Sequence, residues 1–121
     1  MADEVNLRNL ALDVIVSVMD KGAYSDKAIH AALEKHPGLE KRDRAFFTRL
    51  CQGTIEYAVS SDYIINLFSK TKVKKMKPVI REILRMGVYQ IMHMDSVPDS
   101  AVCNEAVKLA KKYGADTEKA Y

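Results

Sequence analysis

The chain of 121 residues has no tryptophan, two cysteines, three prolines and five glycines. Cys51 and Cys103 are too few and too far apart to suggest a disulfide scaffold or a thiolate metal site, so we expect both thiols to be buried. The chain contains no run of 18 apolar residues, and its first letters, MADEV, lack both the basic and the apolar parts of a signal peptide. We therefore predict one soluble, cytoplasmic domain over residues 1–121, with no membrane partner.

The sequence also lacks the residue groupings that catalysis needs. His30, His36 and His93 stand apart, without the spacing of metal ligands. No glycine-rich segment could cradle a phosphate, and Gly53 and Gly87 are isolated glycines inside helical patterns. Because each costs about 1 kcal/mol relative to alanine, we interpret both as points where helices cross closely. We predict no catalytic residue, no metal site and no cofactor site in this chain.

Hydrophobic periodicity predicts an all-α fold, a single bundle of about six helices. From Leu7 onward apolar residues recur at helical spacing, and a second apolar stripe indicates that the first helix lies centrally, between two packed neighbours. Gly22 should end this helix. Ser25 is the predicted N-cap of a short second helix, which Pro37 and Gly38 break.

The later helices have boundary signals of the same kind. The segment from Lys41 predicts two helices with a bend, the second of them capped by residues 60–62. Pro78 suits the first turn of the next helix, where its missing N–H costs nothing. A sixth helix follows Pro98, and Gly114 is the predicted C-terminal cap.

Positive charge is concentrated between Lys70 and Arg85, where seven basic residues face the single acid Glu82. Lys77, Arg81 and Arg85 fall at i, i+4 and i+8, so we expect one outward helical face to carry all three. Such a patch repels itself unless phosphates or counterions attend it, which favours a polyanion partner over a merely solvated helix flank. The residues predicted to contact phosphates are Arg8, Lys70, Lys72, Lys74, Lys75, Lys77, Arg81 and Arg85.

Other charged groups leave two interpretations open. Asp43, Arg44 and Arg49 could form an internal ion-pair network or belong to a binding face, and we favour the network. The aromatic residues mostly follow the apolar stripes, so we assign most of the following to the core: Phe46, Phe47, Tyr57, Tyr63 and Phe68. Without an aromatic platform for bases, the sequence predicts contact with phosphates more strongly than base reading.

Three segments resemble a known family. The stretch ILRMGVYQIMHMDSVPDSAVCNEAVKLAKKYGA (residues 83–115) resembles the C-terminal half of the NusB fold. The upstream stretches GAYSDKAI and KRDRAFFTRLCQGTIEY are more similar to the version at the N-terminus of RsmB/Sun-type small-subunit rRNA cytosine methyltransferases. The resemblance extends from Leu7 to Tyr121 and implies an all-helical, RNA-associated domain. It also places Arg8 where NusB carries an arginine-rich helix that contacts RNA together with a ribosomal protein.

The resemblance further implies that the methylation chemistry belongs to a separate domain. In the methyltransferases that domain binds S-adenosylmethionine and carries Pro-Cys and Thr-Cys motifs. Here Cys51 follows Leu50 and Cys103 follows Val102, so we expect no methylation by this chain alone. The family's last helix continues with an apolar segment, whereas this chain reads DTEKAY, so we expect a piece of a longer protein with an uncovered apolar groove that invites dimerisation.

These arguments predict a non-catalytic domain that binds RNA and positions the substrate of an S-adenosylmethionine-dependent rRNA cytosine methyltransferase. Its partners would be ribosomal RNA and the catalytic domain of the parent protein. One alternative is a NusB-like transcription antitermination factor acting through RNA and a ribosomal protein. Another is an intramolecular scaffold with fully solvated lysines.

Overall fold

The computed structural model describes residues 5–113, and all regular elements in that part of the chain are helical. The six α-helices are α1 (Leu7–Lys21), α2 (Ser25–Glu34), α3 (Lys41–Glu56), α4 (Ala58–Phe68), α5 (Pro78–His93) and α6 (Asp99–Tyr113). One 3-10 turn, Val73–Lys75, lies between α4 and α5. The predicted all-α fold of about six helices is confirmed.

Local sequence determines several helix ends. The side chain of Asn6 accepts a hydrogen bond from the Asn9 N–H at 3.0 Å and caps α1. Gly22 ends α1 with a φ of 79°, a left-handed conformation that glycine adopts without steric cost. Pro78 lies in the first turn of α5. The predictions for Gly22 and Pro78 are confirmed, whereas Gly114 lies outside the described residues.

Two other helix starts differ from the predictions. Ser25 is the first residue of α2 rather than its N-cap, which is Tyr24, and no side chain caps this helix. The bend between α3 and α4 falls at Tyr57, before the predicted cap at residues 60–62. The Ser60 hydroxyl donates to the Tyr57 carbonyl at 3.1 Å from within the first turn of α4. Two helices with a bend are therefore confirmed, but the predicted position of the second start was wrong.

The core is centred on α1, which packs against α2, α3 and α5. Ala11, Leu12 and Ile15 are at most 1% exposed. The surrounding helices contribute the buried side chains of Ile29, Phe47, Leu50, Ile83, Met86 and Leu109. The predicted central position of α1 is confirmed.

Several predictions of burial were wrong, mostly at the edge of the bundle. Tyr63 and Phe68 of α4 are 68% and 85% exposed, because α4 packs only on its inner side, against α3, α5 and the 3-10 turn. Cys103 is exposed, whereas Cys51 is buried, and burial raises the pKa of its thiol to about 12. Tyr89 of α5, by contrast, is buried, at 5% exposure.

No helix within residues 5–113 is both long and apolar enough to cross a membrane. The predicted apolar groove and dimer concern the chain after Tyr113, which lies outside the described residues. The dimer stays a prediction.

Candidate nucleic-acid interface

The lysines between α4 and α5 lie at the surface of an anchored turn. Val73 and Met76 are buried against Ile65 of α4. The side-chain oxygen of Asn66 accepts a hydrogen bond from the Val73 N–H at 2.9 Å, which holds the turn on α4. The exposed side chains around these anchors form what we call the lysine loop: Lys70, Lys72, Lys74 and Lys75.

The positive charge of the lysine loop is uncompensated within the described residues. Lys70, Lys74 and Lys75 form no ion pair with any residue in 5–113. The Lys72 ammonium donates only to the backbone carbonyl of Asn66, at 3.3 Å. Three neighbouring cations without acidic partners are the electrostatic arrangement expected at a phosphate-binding surface.

Arg81 and Arg85 do not belong to this surface, and the prediction that they face outward with Lys77 was wrong. Arg81 donates to the Asp20 carboxylate of α1, and Arg85 donates to both oxygens of Asp62 of α4 at 2.7 and 2.8 Å. Their side chains are only 20% and 11% exposed. Acidic residues that are distant in sequence, Asp20 and Asp62, contact this face of α5 and neutralise its charge. The two arginines hold α1 and α4 to α5.

Glu82 lies at the centre of this network and is fully buried. It accepts hydrogen bonds from Arg85 at 3.0 and 2.9 Å. Burial, assisted by a hydrogen bond to Asp20, raises the pKa of Glu82 to about 7 against the opposing effect of Arg85. The Oδ2 atom of Asp20 is buried without a partner in the described part of the chain, and a proton on Glu82 supplies a donor for this carboxylate.

Arg8 lies at the opposite end of α1 from the lysine loop. Its Nε donates to the Gln90 side chain at 2.8 Å, and its guanidinium lies 5.3 Å from the centre of the Phe46 ring. Asp20, which contacts the start of α5, is about 18 Å farther along α1 at 1.5 Å per residue. The structure therefore does not bring Arg8 and the lysine loop together.

Arg8 instead joins a second basic surface, which includes Arg49, one of the residues for which the sequence left a binding face open as an alternative. It lines a cleft of about 520 Å³ that also contains Arg42 and Arg49 of α3. A neighbouring cleft of about 770 Å³ is lined by Lys41, Arg44 and Arg49 on one face of α3. We call the larger of the two the α3 cleft.

The predicted internal network of Asp43 with Arg44 and Arg49 does not form. Asp43 pairs with Arg42 at 3.6 Å instead. Arg49 donates to the backbone carbonyl of His93, the last residue of α5, at 2.6 Å. Arg44 and Arg49 thus face the α3 cleft, and Arg49 also neutralises the C-terminal end of the α5 dipole.

An aromatic cluster lies beside the α3 cleft. The rings of Tyr57, Tyr89 and His93 stack with centroid separations of 5.8, 4.3 and 5.2 Å and interplanar angles of 26° to 27°. Tyr89 lines the α3 cleft and lies over Gly53, where a Cβ would overlap its ring. The i, i+4 spacing of Tyr89 and His93 was a signal for this cluster, but the position of Tyr57 was not predictable from α5 alone.

The described residues contain no group of three His, Cys, Asp or Glu side chains placed to hold a metal ion. The three histidines do not converge: His30 pairs with Glu34 on α2, while His93 belongs to the aromatic cluster.

Comparison with known proteins places this geometry in a family. The model of the NusB family matches residues 5–121. The chain is 36% identical over 110 residues to a protein of Synechocystis named a probable ribosomal RNA small subunit methyltransferase B, and 29% identical over 111 residues to one of the same name in Bacillus subtilis. These matches cover 91% and 92% of this chain, but the chain spans only 24% of the length of each methyltransferase.

A relative with another name is equally similar. The chain is 37% identical over 114 residues to the transcription antitermination protein NusB of Symbiobacterium thermophilum, a match that covers 88% of this chain and 74% of that protein. The bundle of helices, the family match over nearly the whole length and this relative together show that the chain belongs to the NusB family.

Proposed function

We propose that this chain is a non-catalytic RNA-binding domain that positions ribosomal RNA for a small-subunit rRNA methyltransferase. The similarity to two methyltransferases supports the proposal, since the matched region is about a quarter of each and leaves most of their length for other domains. In such a protein a separate catalytic domain would bind S-adenosylmethionine and transfer the methyl group.

The lysine loop is the observation that carries the RNA-binding part of this proposal. Lys70, Lys74 and Lys75 have no ion-pair partner within residues 5–113 and lie on a turn anchored by two buried side chains, whereas Arg81 and Arg85 are neutralised next to it. The anchored backbone keeps the three lysines close together, and the counterions that phosphates release when they bind drive the association.

Changing Lys70, Lys74 and Lys75 together to Gln tests the proposal. The triple variant should bind a fragment of small-subunit rRNA more weakly. The slope of log affinity against log salt concentration should be less steep by about two to three units, because each lost phosphate contact reduces the slope by nearly one unit. Fluorescence anisotropy at several salt concentrations measures both quantities.

The matched control changes Lys21, Lys27 and Lys35 together to Gln. It removes the same net charge from exposed positions at the end of α1, within α2 and at the end of α2. It should keep the wild-type slope. Equal slopes in the two triple variants would reject the lysine loop as the RNA contact. Absence of RNA binding by the wild-type chain would reject the proposed function itself.

The second candidate is a transcription antitermination factor that acts mainly through a protein partner. The 37% identity to NusB of Symbiobacterium thermophilum, over most of that protein, favours it. A pulldown with ribosomal proteins and rRNA separates the candidates. Recovery of one ribosomal protein without RNA at moderate salt would favour the antitermination factor. Recovery of neither would leave the scaffold role, in which the domain only braces its neighbour.

A further inference from the structure

The aromatic cluster is exposed at one edge although its inner ring is buried. Tyr89 is 5% exposed and packs on Gly53, so it forms a fixed base for the stack. Tyr57 is 38% exposed and His93 is exposed as well. Tyr57 lies at the break between α3 and α4, where it is the C-cap of one helix and the N-cap of the other. The centre of its ring lies 4.3 Å from the centre of the His93 ring. The outer two rings thus present aromatic surface to solvent from a rigid support.

Positive charge lies next to the inner ring of the aromatic cluster. Tyr89 lines the same cleft as Lys41, Arg44 and Arg49, all from α3. From Lys41 to Glu56 this face of α3 is about 22 Å long at 1.5 Å per residue. That length suits several stacked nucleotides at about 3.4 Å each.

We propose that the aromatic cluster and the α3 cleft form a binding site for single-stranded RNA. An unpaired base stacks on the ring surface that the Tyr57–His93 pair leaves exposed, and Lys41, Arg44 and Arg49 contact the phosphates of the adjoining nucleotides. The inference rests on the proposed RNA-binding function and adds a second site to it, distinct from the lysine loop.

The chemistry favours a single strand over a duplex, since only an unpaired base offers its face to an aromatic ring. Glu56 also lines the cleft, near Gly53 and Tyr89. Its carboxylate disfavours a phosphate at that end of the cleft but can accept a hydrogen bond from an N–H group of a base, such as the imino group of uracil. Base contact at the aromatic end and phosphate contact at the basic end are therefore separated along α3.

Binding of a short end-labelled oligouridine to the full chain tests this site, with a blunt RNA duplex as the competitor. Tyr57→Ala should weaken binding of the single strand by about 5- to 100-fold, the range measured when one stacking residue is removed. Tyr57→Phe keeps the ring and should bind within about twofold of wild type. Tyr63→Ala is the matched control, because Tyr63 is an exposed tyrosine of α4 outside the cluster.

A second measurement separates stacking from a structural effect. The chain has six tyrosines and no tryptophan, so tyrosine emission can be read directly. Oligouridine should quench part of this emission in wild type and in Tyr63→Ala, and the quenching should be smaller in Tyr57→Ala. Unchanged affinity and unchanged quenching in Tyr57→Ala would overturn the inference, as would preference of the wild type for the duplex.

The outcomes distinguish this inference from the proposed function. If wild type binds RNA and only the lysine-loop variant is weakened, the proposed function stands and the second site is rejected. If wild type binds neither the oligouridine nor the rRNA fragment, both are rejected.

Discussion

The role of Glu82 in the structure differs from the one that its sequence neighbours indicate. In sequence it is the single acid in a segment with seven basic residues, from Lys70 to Arg85. In the structure it is fully buried and joins Arg81 and Arg85 to the carboxylates of α1 and α4. Removing one partner from such a network leaves an uncompensated buried charge, which typically costs about 3 to 5 kcal/mol.

The raised pKa of Glu82 predicts a specific dependence of stability on pH. Between its ordinary value of 4.5 and about 7, the folded protein holds a proton on Glu82 that the unfolded chain releases. The free energy of unfolding should therefore fall as the pH rises through this window, by up to about 1.4 kcal/mol per pH unit from this group. Glu82→Gln should lose this contribution, which urea unfolding at a series of pH values can measure.

Glu56→Gln provides the control, because Glu56 is exposed on α3. Its free energy of unfolding should depend on pH as that of the wild type does, because all other carboxyl groups contribute equally to both proteins. If Glu82→Gln and wild type have parallel profiles between pH 4.5 and 7, Glu82 does not titrate in that window.

At the scale of the helices, two glycines with the same sequence signal have different roles. A Cβ on Gly53 would overlap the Tyr89 ring, so this glycine lets α3 and α5 approach closely, as we predicted. A Cβ on Gly87 would meet only Val102 Cγ1, at an ordinary contact distance of 3.6 Å. The close-crossing interpretation is thus confirmed at Gly53 and wrong at Gly87, where α6 leaves room for a methyl group.

The two glycines should consequently respond to alanine in opposite directions. Gly53→Ala should lower the free energy of unfolding by about 1 to 3 kcal/mol, the usual cost of overpacking, because Tyr89 must move. Gly87→Ala should be neutral or raise it by up to about 1 kcal/mol, since alanine is the better helix former. Urea denaturation of both variants measures the difference. A stable Gly53→Ala would mean that Tyr89 leaves its position over α3 without cost.

Helix boundaries were predictable where a glycine or a proline fixes the backbone, but not where a serine was the predicted cap. Gly22 and Pro78 work through their own backbone dihedrals, so their roles could be derived without knowledge of any neighbour. The break at Tyr57 has no such signal, and Ser60 offered a better cap in sequence. Tyr57 stacks on Tyr89 and His93 of α5, so its environment depends on residues more than 30 positions away.

At the scale of the whole molecule, α1 is the element on which the bundle depends. It contacts α2, α3 and α5, and its Ile15 is fully buried. A central helix of this kind couples the packing of its neighbours, so the bundle should lose its structure as one unit.

Ile15→Ala should lower the free energy of unfolding by about 2 to 5 kcal/mol, the cost of a buried cavity at a site that cannot collapse. Far-ultraviolet circular dichroism and tyrosine fluorescence should give the same urea midpoint if unfolding is cooperative. Val59→Ala, at a position of α4 that is 85% exposed, should change stability by about 0.5 kcal/mol or less. Separate midpoints for the two probes would show that part of the bundle unfolds independently of α1.

The sequence by itself determined the all-α class, the central position of α1 and most helix ends, because hydrophobic periodicity and capping act within a few residues of the chain. It also located the lysine loop, whose cations have no acidic neighbour nearby in sequence. Only the tertiary structure decided which basic residues remain available. The contact of Asp20 with Arg81 joins residues 61 positions apart, and that of Asp62 with Arg85 joins residues 23 apart. Likewise, Tyr57, Tyr89 and His93 became one surface only when α3 packed against α5, because proximity between distant residues is a property of the packed helices.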